Sequence, residues 1–358
     1  MNGQTPNAAT GQDAHPLTQM RAEIGEQPAA LRATLSQLLP RTSEIAAVGE
    51  DTRHVLFIAR GTSDNAAVYG SYLLQVHAGR LATLASPSVA TTYHARADLS
   101  GVLAVALSQS GRTEEIVETL AWAASCGART LAITNSAGSP LAETAELALV
   151  TAAGTEHAVP ATKTFSSQLA ALAVLGIGLG ADVAADDLSR VPDEIDRMLA
   201  ALGDVEGAAA GLAGAPGMVV SGRGFAYAAA LELALKLKEA CYLHAMGLSY
   251  ADLLHGPIAV VDAQTPAIIM AADEGPALDG AVQLARRVTG AGAVALGIGG
   301  GEGLARECRL ALPGPRLPEW LAPIGLIVPG QLLTEALARQ LGLDPDNPRG
   351  LSKVTQTA

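Results

Sequence analysis

Short continuous apolar runs recur along the chain, each ending in small or hydroxylic residues. In the first half they are HVLFIARG (54–61), GVLAVALSQSG (101–111), ARTLAITN (128–135) and ELALVTA (146–152). Helical periodicity follows the first three, at 65–77, 113–126 and 139–145. Strands buried on both faces lose the polar alternation of a half-exposed sheet, so this pattern predicts a parallel sheet covered by helices on both sides. A longer apolar stretch from Thr162 to Gly178 predicts a buried helix packed on that unit. Its most apolar part, Leu169 to Ala181, spans 13 residues and is broken by glycine. A bilayer needs about 20.

The pattern then repeats. VLFIARG at 55–61 lines up with MVVSGRG at 218–224, an offset of 163 residues. LAVALSQSG lines up with PAIIMAADEG near the same offset, and ARTLAITN with GAVALGIG at 292–299. The fold class predicted is α/β, two tandem doubly wound parallel-sheet units of flavodoxin-like type. The expected division is a disordered tail over 1–16, a first unit over 17–198, a second over 199–345 and a C-terminal tail over 346–358. The polar stretch 180–198 joins the two units.

Composition narrows the function classes. The chain has 358 residues, 49% hydrophobic and 16% charged, with net charge −12 and 3% aromatics. There is no basic stripe to neutralise phosphates, which argues against nucleic acid as a partner. Three cysteines, Cys126, Cys241 and Cys308, show no metal spacing, which fits a reduced cytoplasm. No charged-then-apolar leader opens the sequence, so secretion and a membrane are not expected. GRGFA at 222–226 is a lone G-x-G, no phosphate-cradling G-x-x-x-x-G-K-[ST] loop occurs, and no cofactor or metal is expected.

SQSGRT (108–113) falls between a buried strand and a helix, at the carboxyl end of the sheet where such folds bind ligands. Gly111 permits a tight turn, and Ser108, Ser110 and Thr113 place hydroxyls at a helix N-terminus, where free N–H groups and the dipole favour an anion. Thr62 and Ser63 add a second hydroxyl pair from the neighbouring strand end. Helix capping is the plain alternative. The equivalent loop of the second copy, AADEGP (271–276), has lost its hydroxyls and gained two acids. That asymmetry favours a phosphate site in the first unit.

From Phe225 to Leu243 a helix rich in Ala and Leu carries Glu232, Lys236 and Glu239 at i, i+4 and i+7, on one face. Lys238 points elsewhere. An exposed ion pair is the plain reading, but the apolar flanks suggest that the stripe faces a cavity. Lysine is scarce beside arginine here, at 4 against 19. Arginine cannot form an imine or readily lose a proton, so a retained lysine hints at amine chemistry. His244, at the helix end, reads as a positive cap on terminal carbonyls. His255, in HGP, completes a set of carboxylate, amine and imidazole suited to proton transfer.

Taken together, RGTSDNA, SQSGRTEE, ATKTF, ALKLKEACYLHA, HGPIAVVD and NPRGLSK, in that order, resemble the sugar isomerase (SIS) domain family. Within it the chain is similar to the isomerase half of glucosamine-6-phosphate synthase and to related glucosamine-6-phosphate deaminases. The segment LTQMRAEIGEQPAAL (17–31) also looks like the helix that opens this group. The resemblance implies that Thr62, Ser63, Ser108, Gln109, Ser110 and Thr113 hold a sugar phosphate. It implies that Glu239 moves the proton between C1 and C2, with Lys236 and Glu232 beside it. His255 would open the sugar ring, supplied across the interface of a homodimer. Lys353 would form a Schiff base with the open-chain ketose, and Val159 would line the sugar.

The sequence departs from the synthase pattern in places. No glutaminase segment precedes Leu17, so glutamine hydrolysis is not expected. Met246 and Leu254 stand where the synthase has an acid and a basic residue, and Pro160 and Ala161 replace small or hydroxylic neighbours. The resulting expectation is deamination of glucosamine 6-phosphate to fructose 6-phosphate. The alternatives are a fructosamine-6-phosphate deglycase, a plain phosphosugar isomerase, or a sensor that binds a sugar phosphate without catalysis.

Overall fold

The computed structural model describes residues 17–353. The tail expected over 1–16, and residues 354–358 of the expected C-terminal tail, lie outside them. The first sheet contains β1 (His54–Ile58), β2 (Leu81–Leu84), β3 (Val102–Leu107), β4 (Arg129–Thr134) and β5 (Leu147–Val150), in the order β2-β1-β3-β4-β5. The second contains β6 (Gly217–Gly222), β7 (His244–Ser249), β8 (Ala267–Ala271), β9 (Ala295–Gly299) and β10 (Leu310–Leu312), in the order β7-β6-β8-β9-β10. Every pairing is parallel. Two copies of one doubly wound unit are therefore present, and α/β is the fold class.

Register shows how closely the copies agree. Leu56 of β1 stands opposite Ala104 of β3, and Val219 of β6 opposite Ala267 of β8, each partner 163 residues on. At the next strand the offset grows to 165, since Leu131 in β4 corresponds to Leu296 in β9. The sequence alignment of ARTLAITN with GAVALGIG is thus one residue out.

The edge strands β2 and β7 were not expected. Residues 81–84 are mostly exposed, and a solvated edge carries little apolar signal. The second edge corrects the reading of His244: it opens β7 with its side chain exposed and caps no helix. The preceding helix ends instead at Tyr242, in left-handed conformation at φ 56°, whose N–H donates to the Leu237 carbonyl.

The helices that bear on the site are α1 (Gln19–Gly25), α2 (Gln27–Leu38), α3 (Thr62–His77), α4 (Glu114–Ser125), α5 (Lys163–Gly178), α6 (Ala226–Cys241) and α7 (Ala322–Gln340). A single core reaches from Met20 in α1 to Ala338 in α7 and joins the two units. The helix expected over Thr162 to Gly178 is α5, buried along almost its whole length. Its Lys163 is buried too, paired with Glu26. Among the described residues no helix is long and apolar enough to cross a membrane. Cys126, Cys241 and Cys308 are free thiols, and burial pushes that of Cys241 up to about 12.

Candidate active site

A cavity of about 320 Å³ opens at the carboxyl ends of β1 and β3. The starts of α3 and α4 and the last turns of α6 wall it, and residues 351–353 close one side. Thr62, Ser63, Ser108, Gln109, Ser110, Thr113, Val159, Lys236, Glu239 and Lys353 all line it. The sequence named each of these. It missed Arg60, which also lines the cavity and is held by Glu115 at 2.9 and 3.0 Å.

The hydroxyl loop is shaped by Gly111, at φ 64°, where a Cβ would fall 2.1 Å from the Ser139 hydroxyl. Ser108 Oγ accepts from the Gly111 N–H at 3.1 Å and Ser110 Oγ from the Arg112 N–H at 3.2 Å. Thr113 stands at the N-cap of α4, but its side chain makes no capping bond. Gly61 stands at the N-cap of α3 and has no side chain with which to cap it. The capping explanation therefore fails for Thr113. Its hydroxyl and two helix N-termini face the cavity together, an arrangement that suits a compact anion.

The second unit shows what has been lost. Its equivalent cavity is about 10 Å³, with Arg223 lying 5.0 Å from the centre of the Tyr250 ring. Asp273, from the loop that replaces the hydroxyls, accepts from the Gly301 N–H at 3.0 Å. The Glu319 carboxylate lies against Gly275. Burial pushes both carboxyls above their ordinary range.

On α6 the predicted stripe splits by depth. Lys236 Nζ lies 2.5 Å from Glu239 Oε2, 3.2 Å from Thr62 Oγ1 and 3.4 Å from Glu232 Oε1. Glu239 keeps 22% of its side chain exposed, toward the cavity. Glu232 has none, and does not line the cavity. It accepts from Thr62 Oγ1 at 2.9 Å and Asn65 Nδ2 at 2.8 Å, bracing the cup from beneath. Lys238 is exposed, as its place on the helix required.

Burial would lower the Lys236 pKa, but the charges of Glu232 and Glu239 outweigh it and hold the ammonium above its usual value. Burial, aided by the Glu239 charge, pushes Glu232 above the carboxylate range. One buried cation is thus shared by two acids, Glu232 out of reach of solvent and Glu239 open to the cavity.

His255 is exposed at the end of a short helix and does not line this cavity. Lys353 does. Its Nζ donates to Glu156 Oε2 and to the Ala158 carbonyl, each at 2.7 Å. The segment that carries it is tied along its length. The Asp346 carboxylate accepts from the Gln19 and Met20 N–H groups at the start of α1, and the Asp346 carbonyl from the Val159 N–H at 2.9 Å. Arg349 lies over the Tyr242 ring, and its N–H donates to the Tyr242 hydroxyl at 2.8 Å. Glu156 escaped the sequence reading, because its partner lies 197 residues away.

The family model described as "SIS domain" matches residues 50–178 and again 211–337. A glutamine--fructose-6-phosphate aminotransferase [isomerizing] of Methanothermobacter thermautotrophicus is 36% identical over 337 residues. That match covers 93% of this chain and 56% of the relative, so the chain spans little more than half the relative's length. A Silicibacter pomeroyi protein, described provisionally as a phosphosugar isomerase, shares the fold at TM-score 0.83 and 32% identity, covering 92% of this chain and 100% of that one. A glucosamine-6-phosphate deaminase of Thermotoga maritima superposes at TM-score 0.77 with 23% identity, covering 95% of this chain and 100% of that one. With both of its units matched in this way, the chain belongs to the SIS domain family.

Proposed function

We propose that the chain is an amino-sugar-phosphate isomerase that converts glucosamine 6-phosphate to fructose 6-phosphate and ammonia. One observation carries this reading: the Lys236–Glu239 pair faces a hydroxyl-lined anion cup across a single cavity large enough for a hexose phosphate. The phosphate binds through Thr62, Ser63, Ser108, Gln109, Ser110 and Thr113, and Val159 packs on the sugar. In the open-chain aldose, Glu239 removes the C2 proton and the electron pair forms a C1–C2 enolamine. Return of the proton to C1 leaves an imine at C2. The Lys353 amine, on the cavity wall, adds to C2 and ammonia departs, and water then hydrolyses the Lys353 imine to release the ketose. Lys236 holds the Glu239 carboxylate and stands ready for charge developing on the substrate oxygen.

The catalytic unit in this reading is a homodimer in which His255 of one copy opens the ring bound by the other. Met246 (39% exposed), Leu254 (37%) and Val260 (43%) place uncovered apolar surface along the segment 246–260 that contains His255. The assay is direct: incubation with glucosamine 6-phosphate should release ammonia and fructose 6-phosphate in equal amounts. Absence of both products refutes the proposal.

A second reading draws on an open cavity of about 570 Å³ that shares Gln109, Ser110 and Lys353 with the first and extends past Asn135, Ser136 and Thr155. It offers room for a larger amine, as in a fructosamine 6-phosphate. Turnover of that substrate but not of glucosamine 6-phosphate selects the deglycase.

A further inference from the structure

Glu156 stands in the loop between β5 and α5 with its side chain fully buried. Its carboxylate accepts from the Thr162 and Thr164 N–H groups at 2.9 and 3.1 Å. It also accepts from their hydroxyls at 3.3 and 2.6 Å, and from Lys353 Nζ at 2.7 Å. A buried carboxylate is costly unless it is both hydrogen-bonded and matched by a counter-charge. The threonines satisfy its lone pairs and hold the start of α5. They do not balance its charge, and Lys353 does.

Capping alone does not account for this arrangement. A neutral side chain satisfies helix N–H groups without burying a charge, and nothing in capping requires a partner from the far end of the chain. Lys353 also bonds the Ala158 carbonyl, so the loop that presents Val159 and Ala161 to the cavity fixes the amine at the same wall. Burial acts to raise the Glu156 pKa, but the Lys353 charge and the bonds from Lys353, Thr164 and Thr162 bring it below its ordinary value. The Glu156 charge reaches Lys236 as well, helping to keep that ammonium protonated.

We infer that Glu156 is a positioning residue: it holds the Lys353 amine at the cavity wall for attack on the carbonyl of an open-chain ketose phosphate, and takes the proton the amine must shed. The inference rests on the sugar-phosphate reading of the cavity. In the step, the ammonium gives one proton to the Glu156 carboxylate. The neutral amine then bonds to the carbonyl carbon, and the oxygen leaves as water with the two remaining amine hydrogens. The proton on Glu156 returns to the imine nitrogen, leaving an iminium beside a carboxylate.

The test is reductive trapping. The full chain is incubated with fructose 6-phosphate and borohydride, and the Lys353 adduct is quantified by peptide mass spectrometry. Glu156→Gln should form adduct at least tenfold more slowly and lose kcat by a similar factor, while KM and inorganic-phosphate affinity hold. In a Lys353→Met background the same substitution should lower kcat no further. Adduct formation at the wild-type rate, or an equal fractional loss of kcat with and without Lys353, overturns the inference. Should the Gln variant fail to fold, Glu156→Asp decides. It keeps the charge a methylene short of the amine and should label at an intermediate rate, so wild-type labelling refutes positioning. Ammonia release by a wild type that forms no Lys353 adduct overturns this inference and leaves the proposed function standing. Adduct without ammonia release does the reverse.

Discussion

The Lys236 ammonium stands 2.5 Å from Glu239, three residues further along α6, and 3.4 Å from Glu232, four residues back. One helix face thereby gathers a cation and two carboxylates, with the cation 1% exposed and Glu232 not at all. Removing Lys236 leaves Glu232 buried without its counter-charge and takes the partner from the half-buried Glu239. Lys236→Met should therefore cost about 3–5 kcal/mol of stability, read by urea denaturation, and Lys236→Met with Glu232→Gln should recover part of it.

Glu239 is the carboxylate of this group that reaches the cavity. Glu239→Gln should lower kcat about 10²- to 10⁴-fold, the range that a positioned acid–base group supplies. Titration with inorganic phosphate should show unchanged affinity, because the cup is built by other residues. Persistence of turnover would refute its role as base.

Exposure of His255 away from the cavity of its own chain makes a stoichiometric prediction. Glu239→Gln and His255→Ala homodimers should each be inactive. Mixed by reversible unfolding and refolding in equal amounts, they should recover about a quarter of wild-type activity, since half the dimers are mixed and each mixed dimer has one complete site. No recovery from a mixture shown to contain mixed dimers excludes the shared-site arrangement.

Glu156 sets an acid limit. Its folded pKa lies below the ordinary carboxylate value of 4.5, so between the two the unfolded chain binds more protons than the folded one. Stability from this group is complete above about pH 4.5 and is lost as pH falls through the folded value. The Tm of Glu156→Gln should decline less steeply than that of the wild type over this acid range. Glu232 has the opposite sign, because a raised pKa makes its ionisation in the fold a cost as pH rises above 4.5.

At the cup, Gly111→Ala adds a Cβ 2.1 Å from the Ser139 hydroxyl at a backbone angle alanine disfavours. Loss of about 1–3 kcal/mol is expected. KM for the sugar phosphate should rise as the loop shifts, and kcat should change less. An unchanged KM would mean that this loop does not hold the substrate.

The sequence made the central strands legible because they are buried on both faces and repeat at a nearly fixed offset. It hid β2, an edge with three of four residues exposed, and β7, where His244, Met246 and Gly247 break any apolar run. Helical spacing placed Glu232, Lys236 and Glu239 on one face. It could not give depth along the cavity axis, so it did not show that Glu232 lies beneath the cavity wall, bonded to Thr62, while Glu239 reaches the cavity. Glu156 was illegible for a different reason: only the folded chain brings it to Lys353, and no local pattern encodes a contact over that separation.

The core shared by both units has a consequence for synthesis. Almost every residue of α7 is buried, and its place in the core is against α6 and the rest of that cluster. A nascent chain must therefore hold the apolar faces of the earlier helices uncovered until residues 322–340 leave the ribosome. Closure of the core then comes late, and the wall of the cavity that Lys353 provides comes after it. Products that stop short of α7 should resemble sticky folding intermediates, with the hydroxyl loop formed and the cavity wall incomplete. Yield in the cell would then depend on chaperone supply for as long as that helix is still to be made.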